Sequence, residues 1–273
     1  MWLLNWQGKK PLEKQVYSDT MKNTTSIKKR LKEGETIIGT WCLIPSPHVI
    51  NILANSGLDF VLIDMEHGPI NITVASEMVL ATEEKCDVLI RVPKNDPAHI
   101  QYVLDIGSCG VVIPHIKNVE DRKKAVSYVK YPPIGDRGFS PYTKAGNYTN
   151  KTTHTRIHNE NTITAIMIED KHALDNLDQI IDDENVDIVY IGTYDLSVAL
   201  GIPGDVSNPK VLSELEKAVK TIHKKGKIAG CMAHNKADLD KFKQLGITFV
   251  LFKVDTSIIS DAIKKIKTED ETA

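Results

Sequence analysis

The stretch Phe60-Val-Leu-Ile-Asp-Met-Glu-His-Gly-Pro69 changes character halfway along its length. Its first four residues are an apolar, β-rich run of the kind that forms a strand buried on both faces. Asp64, Glu66 and His67 follow, and the Gly68-Pro69 pair after them is typical of a turn. A buried strand that ends in such a polar cluster is typical of an active-site edge in α/β proteins. The alternative is that these side chains only cap one strand and face water, so recurrence along the chain decides between the two interpretations.

Similar apolar, strand-like runs recur at regular intervals. They occupy residues 37–43, 60–64, 88–92, 110–114, 163–168, 188–191, 228–232 and 249–254. Helix-length segments with apolar residues three and four positions apart lie between most of them, and a last helix is predicted over 257–267. Eight strands alternating with helices favour a closed (β/α)₈ TIM barrel. An open, doubly wound sheet is the alternative, but no GxGxxG or GxxxxGKS/T motif follows any run, which disfavours its nucleotide-binding versions.

Composition narrows the class of protein. The chain has 273 residues, and one barrel domain commonly takes about 250, so we expect a single domain over residues 21–273. Residues 1–20 have no clear period and are predicted to be an N-terminal arm or leader. The net charge of −2 gives no excess of positive charge with which to bind nucleic acid or an anionic membrane. Four widely spaced cysteines and the absence of an apolar run near 20 residues predict a cytoplasmic protein with reduced thiols.

One predicted connection, between residues 130 and 163, is unusually long. It is rich in Pro, Gly, Tyr, Asn and Thr and includes Tyr131-Pro-Pro-Ile-Gly-Asp-Arg-Gly138. Loops of this length inside a compact domain are usually functional or disordered. Because it carries Tyr131, Arg137 and Tyr142, we favour a functional lid or a subunit-contact loop.

Polar side chains also stand where other predicted strands end. Arg91 interrupts an apolar run, and a buried arginine needs an anionic partner, either a substrate carboxylate or an internal acid. Glu169 follows the fifth run and Asp195 the sixth. Carboxylates at the ends of neighbouring parallel strands can converge on one hard divalent cation, and oxygen ligands favour Mg²⁺ or Mn²⁺. The alternative for each acid is a helix N-cap.

Together these groups fit one kind of reaction. A carboxylate-held cation chelated by a 2-oxo acid withdraws electrons from the keto group, and an arginine offsets the charge that develops on its oxygen as an enolate forms. A histidine such as His67 can move the proton of an alcohol. The pattern therefore indicates carbon–carbon bond cleavage or formation through a pyruvate enolate.

Seven motifs, in chain order between about residues 34 and 267, resemble those of the HpcH/HpaI aldolase family. They are Gly39-Thr-Trp41, the run from Gly57 to His67, Ile90-Arg-Val-Pro93, Leu104-Asp-Ile-Gly107, the run from Tyr131 to Gly138, Ile168-Glu169 and Ile191-Gly-Thr-Tyr-Asp-Leu-Ser197. The resemblance implies a class II aldolase that uses a divalent metal, Mg²⁺ or Mn²⁺, with pyruvate and an aldehyde as substrates. It also implies a (β/α)₈ barrel whose last helix is exchanged between paired subunits, in a homo-oligomer built as a hexamer of dimers.

By motif match, the resemblance implies catalytic roles for several residues. Glu169 and Asp195 would bind the metal, and Arg91 would stabilise the enolate oxygen. His67 would act through water as acid or base on the aldol hydroxyl. Asp105 would be the carboxylate partner of His67, with a subunit contact as one route to that pairing.

The resemblance also implies supporting and substrate-binding residues. Asp64 would orient the backbone or His67. The backbone around Gly192 and Tyr194 would hold the substrate carboxylate, and Arg137 would contact substrate from the lid loop.

This chain departs from the family pattern at two places. Met167 stands where the family usually has glutamine, and Thr193-Tyr194 replaces a proline-containing sequence before the Asp-Leu-Ser. A methionine cannot donate the hydrogen bonds of a glutamine amide, so the acceptor or the reaction can differ. His115 is expected to be a structural histidine. Two alternatives stay open: a citrate-synthase-like or acyl-CoA lyase activity, and a non-catalytic binding barrel.

Overall fold

The protein is described by a computed structural model over residues 26–149 and 154–270, so the expectation for residues 1–20 lies outside the described residues. Eight parallel strands pair in chain order and the eighth closes onto the first, which confirms the (β/α)₈ barrel. They are β1 Ile37–Cys42, β2 Phe60–Asp64, β3 Asp87–Arg91, β4 Gly110–Ile113, β5 Ile163–Ile168, β6 Ile188–Ile191, β7 Ile228–Ala233 and β8 Phe249–Val254. Every strand lies where the apolar runs predicted it, with ends that differ by no more than one residue.

The helices alternate with the strands around the barrel. They are α1 Ile27–Lys32, α2 Pro47–Ala54, α3 Ile72–Ala81, α4 Pro97–Asp105, α5 Val119–Val129, α6 His154–Asn161, α7 Lys171–Asp175, α8 Leu177–Ile180, α9 Thr193–Ala199, α10 Pro209–Lys224, α11 Lys236–Gln244 and α12 Asp255–Asp270. Polar side chains start several of them: Asp96, for example, accepts hydrogen bonds from two backbone N–H groups of the first turn of α4. Helix α6 lies in the segment that the sequence predicted to be a loop. The helix was not predicted because its sequence has a single apolar residue, Ile157, and therefore no helical period.

Alternate residues of each strand face the barrel interior and the surrounding helices. Leu62 of β2 packs in the interior cluster, whereas its neighbours Val61 and Ile63 pack in the cluster between strands and helices. Deep in the interior, the rings of Phe60 and Phe249 stack with centroids 4.6 Å apart. Gly39 permits this packing, because a Cβ there would lie 2.6 Å from atoms of the Phe60 ring.

The same alternation brings polar side chains to the C-terminal end of the barrel. Asp64, Arg91 and Glu169 each come two residues after an inward-facing apolar residue, namely Leu62, Leu89 and Met167. The inward face of β2, β3 and β5 therefore changes from apolar to charged at the end where active sites of such barrels form.

The opposite, N-terminal end of the barrel is closed by α1. Ile27 and Leu31 are buried there and join the interior cluster. The Lys28 ammonium lies 2.9 Å from the Asp187 carboxylate and also donates a hydrogen bond to the carbonyl of Thr162, just before β5. Through these contacts α1 covers the N-terminal end of the barrel interior.

Helix α12 ends the described chain and leaves much of its own apolar surface exposed. Asp255 fixes its start by accepting hydrogen bonds from the backbone N–H groups of Leu43 and Ile44, which follow β1. Ile259, Ile263 and Ile266 lie at helical spacing and are 51%, 54% and 59% exposed. A membrane-spanning helix would be longer and more apolar than any helix found within residues 26–149 and 154–270.

Candidate active site

A cleft of about 470 Å³ opens at the C-terminal end of the barrel. Charged and polar side chains line it, among them Asp64, His67, Arg91 and Asp195. The apolar part of its wall consists of Trp41, Leu43, Met167, Tyr190, Met232 and Val254. The structure thus brings residues from the ends of several strands into one small cleft, as the sequence predicted.

Arg91 is anchored in this cleft by Asp64. The two residues are direct neighbours in the β2–β3 register, and the carboxylate accepts from Nε at 2.9 Å and from Nη2 at 2.6 Å. The guanidinium also stacks on the Trp41 ring at 4.3 Å and lies 3.0 Å from Glu66. Burial opposes its charge, but the hydrogen bonds and negative charges of its partners raise the pKa of Arg91 above its usual value. Of the two partners left open by the sequence, the internal acid is the one present.

The turn after β2 is also organised by Asp64. Its Oδ1 atom accepts hydrogen bonds from the backbone N–H groups of Glu66 at 3.0 Å and His67 at 3.3 Å. One carboxylate therefore orients both Arg91 and the backbone that carries His67. The His67 residue is exposed and its side chain lines the cleft.

Glu169 and Asp195 flank the same point, Gly192. A Cβ at Gly192 would lie 3.1 Å from Cγ of Glu169 and 3.6 Å from Oδ2 of Asp195. Helix α9 begins at Thr193, so Asp195 lies in its first turn and is not the N-cap. The backbone N–H of Gly192 donates a hydrogen bond to the carbonyl of Ile168. Gly192 therefore leaves room between the two acids because it has no side chain, and the first free N–H groups of α9 belong to the residues that follow it.

The charge around Glu169 suits a cation. Burial raises the pKa of the Glu169 carboxyl, and the nearby negative charges of Asp195 and Glu66 raise it further, while His115 and Arg91 oppose the rise. Two converging carboxylates with hard oxygen donors fit a divalent ion such as Mg²⁺ or Mn²⁺. No cluster of three or more His, Cys, Asp or Glu side chains suited to a metal occurs in the described part of the chain. A cation held by this pair would leave its other positions to water or substrate oxygens.

Two histidines lie next to these residues although the sequence analysis gave neither a role in the site: it expected His115 to be structural and did not name His234. His115, which follows β4, contacts both Glu66 and Glu169, at 2.7 and 2.9 Å. The backbone of His115 has a φ of 58°, in the left-handed region, and no sequence pattern indicated this conformation.

His234, directly after β7, lines the cleft next to Tyr194, whose ring centroid is 5.5 Å away. Burial lowers the pKa of His234, and its Nε2 atom is buried with no hydrogen-bond partner among the described residues. Its position directly after β7 was the sequence signal that could have identified it as a site residue.

Two residues predicted at the site lie elsewhere in the chain. The segment that carries Arg137 joins the end of α5 to the start of β5, so it lies at the N-terminal end of the barrel and does not form a lid over the cleft of its own chain. Arg137 is 3% exposed, stacks 4.5 Å above the Tyr131 ring and donates to Asp105 at 2.6 Å. Asp105 ends α4 at the same end, so its partner within the chain is Arg137 and not His67.

A larger cleft, of about 600 Å³, lies at the N-terminal end. Its buried lysines have partners inside the protein: Lys28 contacts the Asp187 carboxylate, and Lys130 donates to the backbone carbonyl groups of Asn159 and Thr162. This cleft follows from the closure of the barrel by α1 and lacks the converging acids of the C-terminal cleft.

The fold is a (β/α)₈ barrel, and its charged and polar cleft opens at the end where the active sites of barrel enzymes form. A profile of the HpcH/HpaI aldolase/citrate lyase family matches residues 38–262. The chain belongs to this family.

Curated relatives carry aldolase names. The chain is 33% identical to a 4-hydroxy-2-oxo-heptane-1,7-dioate aldolase of Shigella flexneri over 88% of its own length and 91% of the relative. It is 32% identical to a pyruvate aldolase of Rhizobium etli over 85% and 92% of the two chains. The protein is therefore an aldolase-family lyase.

Solved structures share the whole architecture. An HpcH/HpaI aldolase from Desulfitobacterium hafniense superposes with a TM-score of 0.83 at 29% identity and covers 90% of this chain and 96% of its own. The citrate synthase SbnG superposes with a TM-score of 0.82 at 28% identity, covering 90% and 98%. The same barrel therefore supports both activities among these relatives.

Proposed function

We propose that this protein is a divalent-metal-dependent aldolase that cleaves or forms 2-oxo-4-hydroxy acids, with pyruvate as one substrate and an aldehyde as the other. The observation that carries the proposal is the convergence of Glu169 and Asp195 beside Gly192, which lines the cleft together with Asp195, Arg91 and His67. The names of the relatives supply the reaction type.

Glu169 and Asp195 would hold the metal. Bound there, Mg²⁺ or Mn²⁺ would supply Lewis-acid polarisation of the keto group of a 2-oxo acid. The raised pKa of Glu169 fits this role, because a carboxylate that is costly to ionise when buried gains most from a nearby cation. Glu169 directly follows β5, and Asp195 lies in the first turn of α9, which follows the neighbouring strand β6.

Arg91 would stabilise the negative charge that develops on the keto oxygen as the enolate forms. Asp64 accepts from Nε and Nη2, whereas Nη1 lies 3.0 Å from Glu66 and 3.9 Å from the sulfur of Met167, a residue that lines the cleft. The guanidinium is therefore oriented before substrate arrives, which is the condition under which such a charge is most effective. Met167 adds no hydrogen bond of the amide type, so Arg91 is the main donor on this side.

His67 would move the proton of the aldol hydroxyl, directly or through water. It is exposed at the mouth of the cleft on a turn that Asp64 holds. Asp105, the carboxylate suggested as its partner, pairs with Arg137 at the other end of the barrel, so it would reach His67 only from another subunit. The backbone around Gly192 and Tyr194, at the start of α9, would bind the substrate carboxylate through its N–H groups.

We also propose that the chain forms a homo-oligomer in which α12 packs on a partner subunit, as in a hexamer of dimers with exchanged last helices. The exposed row of Ile259, Ile263 and Ile266 supports it. In a single chain these side chains expose apolar surface to water, and packing against a partner subunit would bury that surface.

The proposal is tested by pyruvate release from racemic 4-hydroxy-2-oxo acids of different chain length, followed with a coupled lactate dehydrogenase assay. Mg²⁺- or Mn²⁺-dependent release that EDTA stops supports it. Release that EDTA leaves unchanged contradicts the metal dependence.

A citrate-synthase-like activity is the second candidate, and the structural likeness to SbnG favours it. It would bind an oxo acid such as oxaloacetate through a divalent cation held by the same carboxylate pair. Incubation with oxaloacetate and acetyl-CoA, followed by measurement of released thiol and of citrate, distinguishes it from the aldolase, which releases no thiol.

A further inference from the structure

The His115 imidazole lies between two acids at the C-terminal end of the barrel. Its Nε2 atom is 2.7 Å from Oε1 of Glu66, and its Nδ1 atom is 2.9 Å from Oε2 of Glu169. Glu66 in turn lies 3.0 Å from Nη1 of Arg91. A continuous line of polar contacts therefore runs from Arg91 through Glu66 and His115 to Glu169.

The environment of His115 is not that of an ordinary surface histidine. The side chain is 56% exposed, yet both ring nitrogens are directed at carboxylates whose side chains are only 10% and 8% exposed. Its φ of 58° is a conformation that non-glycine residues seldom adopt. An exposed side chain would normally turn to water, so the two acids hold this ring in place.

We propose that His115 is a positioning residue, which fixes the orientation of the Glu169 carboxylate and couples it to Arg91 through Glu66. This inference rests on the proposed function, in which Glu169 is one of the two acids that hold the metal. Because His115 contacts Oε2, the carboxylate cannot rotate without breaking that contact. Acids that bind metals are commonly held by an outer polar contact of this kind, and its loss lowers metal affinity by about 10- to 100-fold.

The first test measures Mn²⁺ binding by calorimetry, so its readout is independent of turnover. His115→Gly removes the ring and suits the left-handed backbone, whereas His115→Gln keeps a donor that can reach one carboxylate. We expect His115→Gly to bind Mn²⁺ about 10- to 100-fold more weakly than the wild-type enzyme and His115→Gln to recover part of the loss. His48→Gln, on the exposed face of α2, is the matched control and should bind normally. Wild-type affinity in His115→Gly would overturn the proposal.

The second test needs no metal and separates the failure of this inference from that of the proposed function. Protein labelled with ¹⁵N-histidine is sedimented and studied by solid-state NMR, with the His115 signals assigned by their loss in His115→Gln. Glu169→Gln should shift the Nδ1 resonance and Glu66→Gln the Nε2 resonance. If these shifts occur and the wild-type enzyme binds no Mn²⁺, the positioning contact stands and the metal-dependent function is wrong. Ring signals that respond to neither substitution would refute the positioning role.

Discussion

Replacing Arg91 with methionine should destabilise the protein strongly, because it leaves the buried carboxylate of Asp64 without its charged partner. The Asp64 carboxylate is 1% exposed, and both of its side-chain partners are nitrogens of Arg91. Methionine fills a similar volume but donates nothing. The Asp64 charge would then keep only the backbone N–H groups of Glu66 and His67.

The size of the effect can be reasoned from these contacts. Removing one partner of a buried ion pair costs about 3 to 5 kcal/mol, since the remaining charge is left desolvated. Losing the stacking of the guanidinium on Trp41, at 4.3 Å, adds about 1 kcal/mol. A typical domain is stable by about 5 to 15 kcal/mol, so Arg91→Met should remain folded but with a much smaller margin.

Two further variants isolate the cause. Asp64→Asn combined with Arg91→Met removes the stranded charge while keeping an oxygen acceptor for the turn, and it should recover most of the lost free energy of unfolding. Arg91→Lys keeps the charge but loses the paired hydrogen bonds and the stacking, so we expect an intermediate loss of stability.

The assay is urea unfolding followed by circular dichroism at one fixed protein concentration, because association would otherwise change the apparent stability. A loss below about 1 kcal/mol in Arg91→Met, or a double variant less stable than Arg91→Met, would refute the reasoning that Asp64 and Arg91 form a closed, desolvated pair.

Three other predictions concern activity, pH and assembly. Glu169→Gln should lower metal-dependent pyruvate release by more than about 100-fold with an unchanged circular dichroism spectrum, since loss of an outer contact alone costs about 10- to 100-fold; undiminished turnover would remove Glu169 from the metal site. Burial lowers the pKa of His158 from 6.5 to about 4, so the unfolded chain takes up a proton before the folded one, and stability should fall by on the order of 2 to 3 kcal/mol as pH drops from 7 to 4. A His158→Gln variant whose melting temperature falls as steeply over that range would contradict this. Gel filtration should give a mass well above 30.4 kDa, and Ile263→Asp should reduce it; a monomeric wild-type protein would argue against the packing of α12 on a partner.

The strands could be predicted from sequence because each is a short apolar run bounded by polar or turn-forming residues. Runs such as 163–168 are too short for a helix and buried on both sides, a pattern typical of parallel barrels. The alternation of two residues also carries Asp64, Arg91 and Glu169 to the inner face. Helix α6 had no such signal, because its eight residues include a single apolar one, Ile157, and therefore show no apolar period.

The site was predicted less completely than the fold. The pairing of Arg91 with Asp64 depends on the β2–β3 register, and a sequence does not state which residues lie opposite each other. His115 reaches two acids only because its backbone is left-handed, and tertiary contacts determine that conformation. Arg137 lies away from the cleft of its own chain for a simpler reason: a segment that joins a helix to the next strand lies at the N-terminal end of a barrel, as the chain order already implied.

The most direct test of the proposed chemistry is the exchange of pyruvate methyl protons with D₂O, followed by NMR. It requires no knowledge of the aldehyde, because enolate formation alone replaces protons with deuterium. With Mg²⁺ present we predict exchange that EDTA abolishes, that excess Mg²⁺ restores and that Glu169→Gln lacks. Exchange that persists in EDTA, or that Glu169→Gln supports at the wild-type rate, would contradict a metal-held enolate at the Glu169–Asp195 pair.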